Sequence, residues 1–327
     1  MTRKEWWVLA GSACFIGFFP LLAQHFKATS HYVDVMVFAG IFSMVCLGLS
    51  MLMGYAGQIS LAQAAFFGIG AYSSGILTSR LGLNPWPAMA IGAAAAALVA
   101  WIVGIPALRL KGHYLAMATL GFGVIVNIVF NEESKWTGGP SGMVDIPGLR
   151  IGGWKMTSDV SWYYLVWGTV FLMLVFCFHV LHSRVGRALR AIHDDETAAE
   201  AMGVPTARYK LQVFVLSAVF AALAGSYYNH YVTCLTPSSF NLMWSIRFVL
   251  MAMVGGMHSL WGALLGAVIL TFLGNEWLQI FAQYEVLIYG LILLIVALFL
   301  PGGLVSLIQH GRASREMNVS AVDDRAS

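Results

Sequence analysis

Apolar runs long enough to cross a bilayer recur along most of the chain, and no soluble fold could bury so many of them. A spanning helix needs about 20 mostly apolar residues. Candidates lie near 6–23, 35–53, 61–78, 88–105, 114–130, 162–181, 211–228, 242–257, 260–282 and 284–300. The run at 242–257 is the weakest, being short and carrying Arg247, and the stretch around 54–70 can equally be read as partly re-entrant. Only 10% of residues are charged and 59% are hydrophobic, against about 25% charged in soluble proteins. The expected fold class is therefore all-α: a polytopic membrane protein of about ten transmembrane helices, in one domain covering residues 1–327.

One sizeable polar island, Ser183–Tyr209, interrupts these runs. Each of its charges (Arg184, Arg187, Arg190, Asp194, Asp195, Glu196, Glu200, Arg208) would cost roughly 3 kcal/mol at a bilayer centre, so the island (loop 183–210) must face water. Placing it in the cytoplasm puts both termini and 12 of the 18 Lys and Arg there. Lys27, Arg80, Lys135, Arg150 and Lys155 then fall outside and Arg247 within a span, the bias expected of cytoplasmic loops. A second long loop, 131–161, lands on the outer side with the run TGGPSGM at 137–143. The tail, 306–327, is expected to be a flexible cytoplasmic segment.

Within the island, GRALRAIHDDETAAEAMG reads as two short helices, the first continuing the sixth span, with Arg187 and Arg190 on one face. Asp194 or Asp195 can cap the second, and Asp195 and Glu196 sit where negative charge favours a helix start. Gly203, with Pro205 beyond it, supplies the stop. A helix of about two turns is unstable alone in water, so it needs something to pack on.

The motifs that carry chemistry are missing. No Gly-Lys pair exists, so there is no Walker A loop and any ATP must be hydrolysed by another chain. No His-Glu-x-x-His pattern occurs, and Cys14, Cys46, Cys177 and Cys234 lack paired metal-site spacing. TGGPSGM lacks the Lys of a phosphate loop and reads as a tight turn or a docking surface. No Asp or Glu occupies the middle of a span, which argues against an ion-coupled secondary transporter; that class, like a membrane enzyme, remains an alternative. Polar groups do occur where the chain re-enters the membrane, at Gly54, Gly57, Gln58, Ser60 and Gln63, and in the fifth span at Asn127. Interrupted helices can line a substrate pathway, but Gln58 and Ser60 can also cap the next helix, and Asn127 can bond across a helix interface. Ala64/Gly68 and Ala71/Gly75 are a small-residue packing pattern. A faint repeat, Gly-x-x-Ser-Leu, occurs at 57–61 and 256–260.

GYAGQISLAQAAFFGIGAY (54–72), HYLAMATLGFG (113–123), TGGPSG (137–142), SRVGRALRAIHDDETAAEAMG (183–203) and VGGMHSLWGALLGA (254–267) together resemble the LivM-type permeases of branched-chain amino acid ABC importers. The resemblance implies a non-catalytic pore subunit in a bacterial inner membrane, working with a second LivH-like permease, two ABC ATPases and a periplasmic substrate-binding protein. No nucleic acid is implied. The chain binds no cofactor of its own, and the ATPases use ATP and magnesium. Glu200-Ala201-x-Gly203 is similar to the EAA loop of such permeases, so Arg187, Arg190, Asp194, Asp195, Glu196, Glu200 and Gly203 are implied to couple the ATPase to the spans. Ala62-Gln63 departs from the Gly-His found in many relatives, which leaves urea or short-chain amides as alternative substrates.

Overall fold

The computed structural model describes residues 30–151, 154–156, 158–277, 284–300 and 302–304; the expected span at 6–23 and the tail at 306–327 lie outside them. The apolar runs form α1 (Ser30–Leu49), continued by a π-helical turn to Tyr55, α2 (Gln63–Ser79), α3 (Pro85–Ala107), α4 (His113–Glu132) and α5 (Asp159–His182). The island forms α6 (Arg184–Asp194) and α7 (Glu196–Ala201). Then follow α8 (Thr206–Val232), α9 (Leu242–Gly255), α10 (Leu260–Phe272) and α11 (Glu285–Phe299). Among the described residues, five helices are long and apolar enough to cross a membrane: α1 with its π turn, α3, α4, α5 and α8. The last three spans fold as shorter apolar helices. The protein is an all-α membrane protein, with one two-residue antiparallel pair, Arg150–Ile151 with Trp154–Lys155, in its long loop.

α1 is apolar on every side, the pattern of a helix enclosed by others. It packs against α5, α8, α9 and α10, and Val37, Ile41, Met44 and Leu47 are fully buried. The indole of Trp167 on α5 donates to the Met36 carbonyl at 3.0 Å. At the end of the bundle away from the island, Tyr231 on α8 donates its hydroxyl to Asp34 on α1 and lies 3.4 Å from Asp159 on α5. α4, by contrast, exposes Tyr114, Met117, Ile125 and Ile128.

α2 and α8 run side by side in the same direction, and their seam depends on close backbone approach. A Cβ on Gly70 would stand 2.0 Å from the Ala222 carbonyl oxygen, and one on Gly225 1.9 Å from that of Phe67. Gly68, one of the small residues prominent in the sequence, instead faces the rings of Phe130 and Phe240. The seam is polar further along: Ser226 donates to the Gly70 carbonyl, Asn229 to that of Ala71, and Ser74 bonds His230 at 2.7 Å. His230 Nδ1 in turn donates to the Pro147 carbonyl, tying the long loop to the bundle. TGGPSG in that loop is a tight turn: Thr137 donates to the Phe130 and Glu133 carbonyls, and Met143 pairs with Leu235.

Candidate functional site

The island differs from its expected form at the first joint. α6 does not continue the preceding span. Ser183 is extended (ψ −178°) and its side chain accepts from the Val185 amide, so the chain stops and restarts as a separately capped helix. Gly186 rests against the end of α5, where a Cβ would stand 2.1 Å from the Leu181 carbonyl oxygen. Arg190 donates to that same carbonyl at 3.1 Å, fixing α6 to α5. α6 buries Gly186, Ala188, Leu189 and Ile192 and exposes Arg184, Arg187 and Arg190, the division expected of an amphipathic helix on a protein surface.

Asp195, not Asp194, caps α7, accepting from the Thr197 and Ala198 amides at 2.8 and 3.1 Å. Gly203 follows at φ +82°, a left-handed conformation that costs other residues about 1–2 kcal/mol. Two side-chain ties hold this short helix to α8. Thr206 donates to Glu200 at 2.5 Å, and Lys210, nearly buried, pairs with Glu196 at 2.5 Å. The other oxygen of Glu196 is 3.8 Å from Lys111 in the α3–α4 connection. Only Ala199 of α7 is buried. At the tip stands Met202, 84% exposed, a large apolar side chain at the end of a polar, tightly tied elbow. Nothing in its sequence setting marks it, since only the fold shows it standing clear of the other described residues.

The elbow touches the membrane helices at one more place. His193, in the last turn of α6, would meet a Cβ on Gly57 at 2.9 Å, and its ring lies edge-on to that of His258 at 5.3 Å. His258 Nδ1 donates to the Gly54 carbonyl at 2.9 Å, the Tyr55 hydroxyl donates to the His258 carbonyl at 2.9 Å, and Ser50 donates to the Met257 carbonyl at 2.7 Å. The second Gly-x-x-Ser-Leu segment thus packs on the π-helical turn that precedes the first, and His193 meets a residue of each. Gly57 has φ +65°, so a side chain there would be both strained and crowded.

From this junction residues 56–62 return into the bundle without helical structure. Gln63, where α2 begins, donates to Ser217 at 3.0 Å, and Gly48 packs on the same serine. Ser217 lies eleven residues into α8 (Thr206–Val232), about 16 Å along it at 1.5 Å per residue. The chain therefore climbs well into the bundle before α2 starts, and non-helical backbone at such depth must be satisfied by neighbouring protein. Three hydroxyls do this: Thr119 accepts from the Leu61 amide at 3.0 Å, Ser60 from Ala62 at 3.4 Å, and Ser245 from Ala64 at 3.0 Å. Two amides on the segment are not fully satisfied. Both polar atoms of Gln58 and the Oε1 of Gln63 are buried with no hydrogen-bond partner among the described residues.

These observations sort the residues expected to line a pathway. Gly54, Gly57, Gln58, Ser60 and Gln63 belong to one interrupted segment that begins at the elbow. Asn127 does not join them: it donates to the Pro237 carbonyl at 3.0 Å and accepts from Asn131 at 3.3 Å, an interface between α4 and the turn at Pro237–Phe240. Among the described residues no group of His, Cys, Asp and Glu could hold a metal ion.

Residues 31–297 match the family described as branched-chain amino acid transport system / permease component. The chain belongs to that permease family. It is 32% identical to the high-affinity branched-chain amino acid transport system permease protein LivM of Escherichia coli K12, over 87% of this chain and 72% of that protein. It is 26% identical to LivH of the same organism, over 81% of this chain and 91% of that protein, and 24% identical to BraD of Pseudomonas aeruginosa, over 84% and 96%. No solved structure matches the permease. The match covers the elbow, the interrupted segment, α1 from its second residue, and all of α2 to α10.

Proposed function

We propose that this permease is the membrane-spanning subunit of an ATP-driven importer for branched-chain amino acids, and that the α6–α7 elbow docks its ATPase on the cytoplasmic side. The observation that carries the reading is Met202. An exposed apolar side chain on a short helix held by Glu196–Lys210 and Glu200–Thr206 is a preformed anchor, of the kind that dominates protein interfaces when it enters a pocket. Arg187, Arg190, Asp194, Asp195 and the island helices around them supply the polar rim. Asp195 and Gly203 hold α7 in shape, and Glu196 and Glu200 transmit its movement to α8.

Coupling then follows a rigid route. Closure of the ATPase pushes α7; α6 moves with it, because Asp195 ends one helix and caps the next; and His193 bears on Gly57 and His258, where α1, the interrupted segment and α10 meet. Interfaces with two discrete packings convert small displacements of this kind into domain motion. Along the segment, the unpaired amide of Gln58 and the free Oε1 of Gln63 offer a donor and acceptors to a zwitterionic substrate in the pathway. A homologous permease supplies the second half of the pore, a periplasmic binding protein delivers substrate, and both termini lie in the cytoplasm of a bacterial inner membrane.

The test is ATPase binding and leucine uptake by the reconstituted complex carrying Met202→Lys, Glu200→Arg or Gly203→Asp. Loss of both with the permease still folded is expected. Intact uptake with any two of the three would overturn the assignment.

A further inference from the structure

A cleft of about 600 Å³ opens on the island side between the end of α3 and the start of α8, within the 300–1,000 Å³ range of small-molecule sites. Its two walls differ in chemistry. Ile105 on α3, Leu108 just past its end and Leu211 on α8 make an apolar wall, and Ile105 is exposed toward the surroundings of the bundle. Arg109, Lys111 and Arg208 stand on the rim, all exposed. Lys210 and Glu196 in the floor neutralise one another at 2.5 Å, and Glu200 is engaged by Thr206. Arg109 and Arg208 have no carboxylate partner among the described residues. Of six charged groups around the cleft, four are basic and two acidic, leaving two positive charges at the point where an apolar helix meets water.

We propose that this cleft holds the headgroup of an anionic phospholipid. The phosphodiester sits between Arg109 and Arg208, and an acyl chain leaves along Ile105 and Leu108 into the bilayer. Basic pockets between spans at a membrane surface recognise anionic lipids in this way. The bound lipid would brace the α3–α4 connection against α7, since Lys111 and Glu196 face each other across the same cleft. This inference needs the chain to span a membrane but does not depend on the ATPase assignment.

Native mass spectrometry of the purified full chain, titrated with phosphatidylglycerol or phosphatidylcholine, tests it. The wild type should retain one phosphatidylglycerol at least tenfold more tightly than phosphatidylcholine. Arg109→Gln/Arg208→Gln should weaken that binding about twenty-five-fold, at about fivefold per basic residue near the surface. Arg80→Gln, at the opposite end of the bundle, should leave it unchanged. Should the double variant fail to fold, Arg109→Gln alone should show the fivefold loss. Equal retention by variant and wild type, equal binding of the neutral lipid, or complete displacement by glycerol phosphate would each overturn the site. So would expulsion of the lipid on adding the cognate ATPases, which would assign the cleft to the protein interface. The lipid titrations use the permease alone, so their failure leaves the docking proposal standing.

Discussion

Replacing Gln58 by Met separates a structural amide from a functional one. Gln58 is 3% exposed, and neither of its polar side-chain atoms has a protein partner among the described residues. An unsatisfied buried polar group costs about 1–3 kcal/mol, and exchanging it for an apolar group of similar shape is neutral or favourable. Met matches Gln in length and adapts to irregular space. Gln58→Met is therefore expected to leave the permease as stable as the wild type or up to about 2 kcal/mol more stable, read as a raised thermal midpoint in detergent. Leucine uptake into proteoliposomes holding the whole complex should fall at least tenfold, because the substrate loses a polar contact inside the pathway. A stability gain together with a transport loss is a combination that a packing role does not produce. A drop in stability of 1 kcal/mol or more would show that the amide is satisfied, and unchanged uptake would remove Gln58 from the pathway.

Gly57→Ala should uncouple the complex, because the new methyl meets His193 at 2.9 Å on a backbone at φ +65°; ATP hydrolysis continuing while uptake falls would show it, and normal uptake would refute the His193 contact as part of the route. Lys210→Met leaves Glu196, among the described residues, with Lys111 at 3.8 Å, and breaking a pair that lies between the exposed and buried cases should cost about 2 kcal/mol, seen as a lowered thermal midpoint and weaker ATPase binding. Asn127→Leu removes the bond to the Pro237 carbonyl and should cost about 1 kcal/mol with uptake retained, whereas a selective loss of uptake would return Asn127 to the pathway.

Much of this architecture is written locally in the sequence. The apolar runs set the helices, and the charges of Ser183–Tyr209 set the one segment that must stay in water. Asp195, Gly203 and Pro205 mark the ends of α7 by rules that act over three or four residues. What escapes local reading depends on contacts between distant segments. The break at Ser183 comes from α6 folding back on Leu181 through Gly186 and Arg190. The seam of α2 runs through Gly70 and Gly225 in place of the more regular Ala64/Gly68 spacing, because Phe130 and Phe240 already occupy the side of Gly68. The late start of α2 is legible only once Thr119, Ser217 and Ser245 are seen to supply its polar partners from three other helices, α4, α8 and α9. The Gly-x-x-Ser-Leu echo falls at the junction of Gly57 and His258, but nothing local indicates that the second copy packs on Ser50, Gly54 and Tyr55 just ahead of the first, or that His193 sits against both.

The central claim is that this chain moves its substrate only when an ATPase acts on the elbow. The most direct measurement is radiolabelled leucine uptake into proteoliposomes containing the permease alone, the permease with its partner permease and ATPases, and the same complex with Met202→Lys. Concentrative uptake is expected only in the complete wild-type complex supplied with ATP and binding protein. Uptake by the single chain driven by an ion gradient, or full ATP-driven uptake with Met202→Lys, would contradict it.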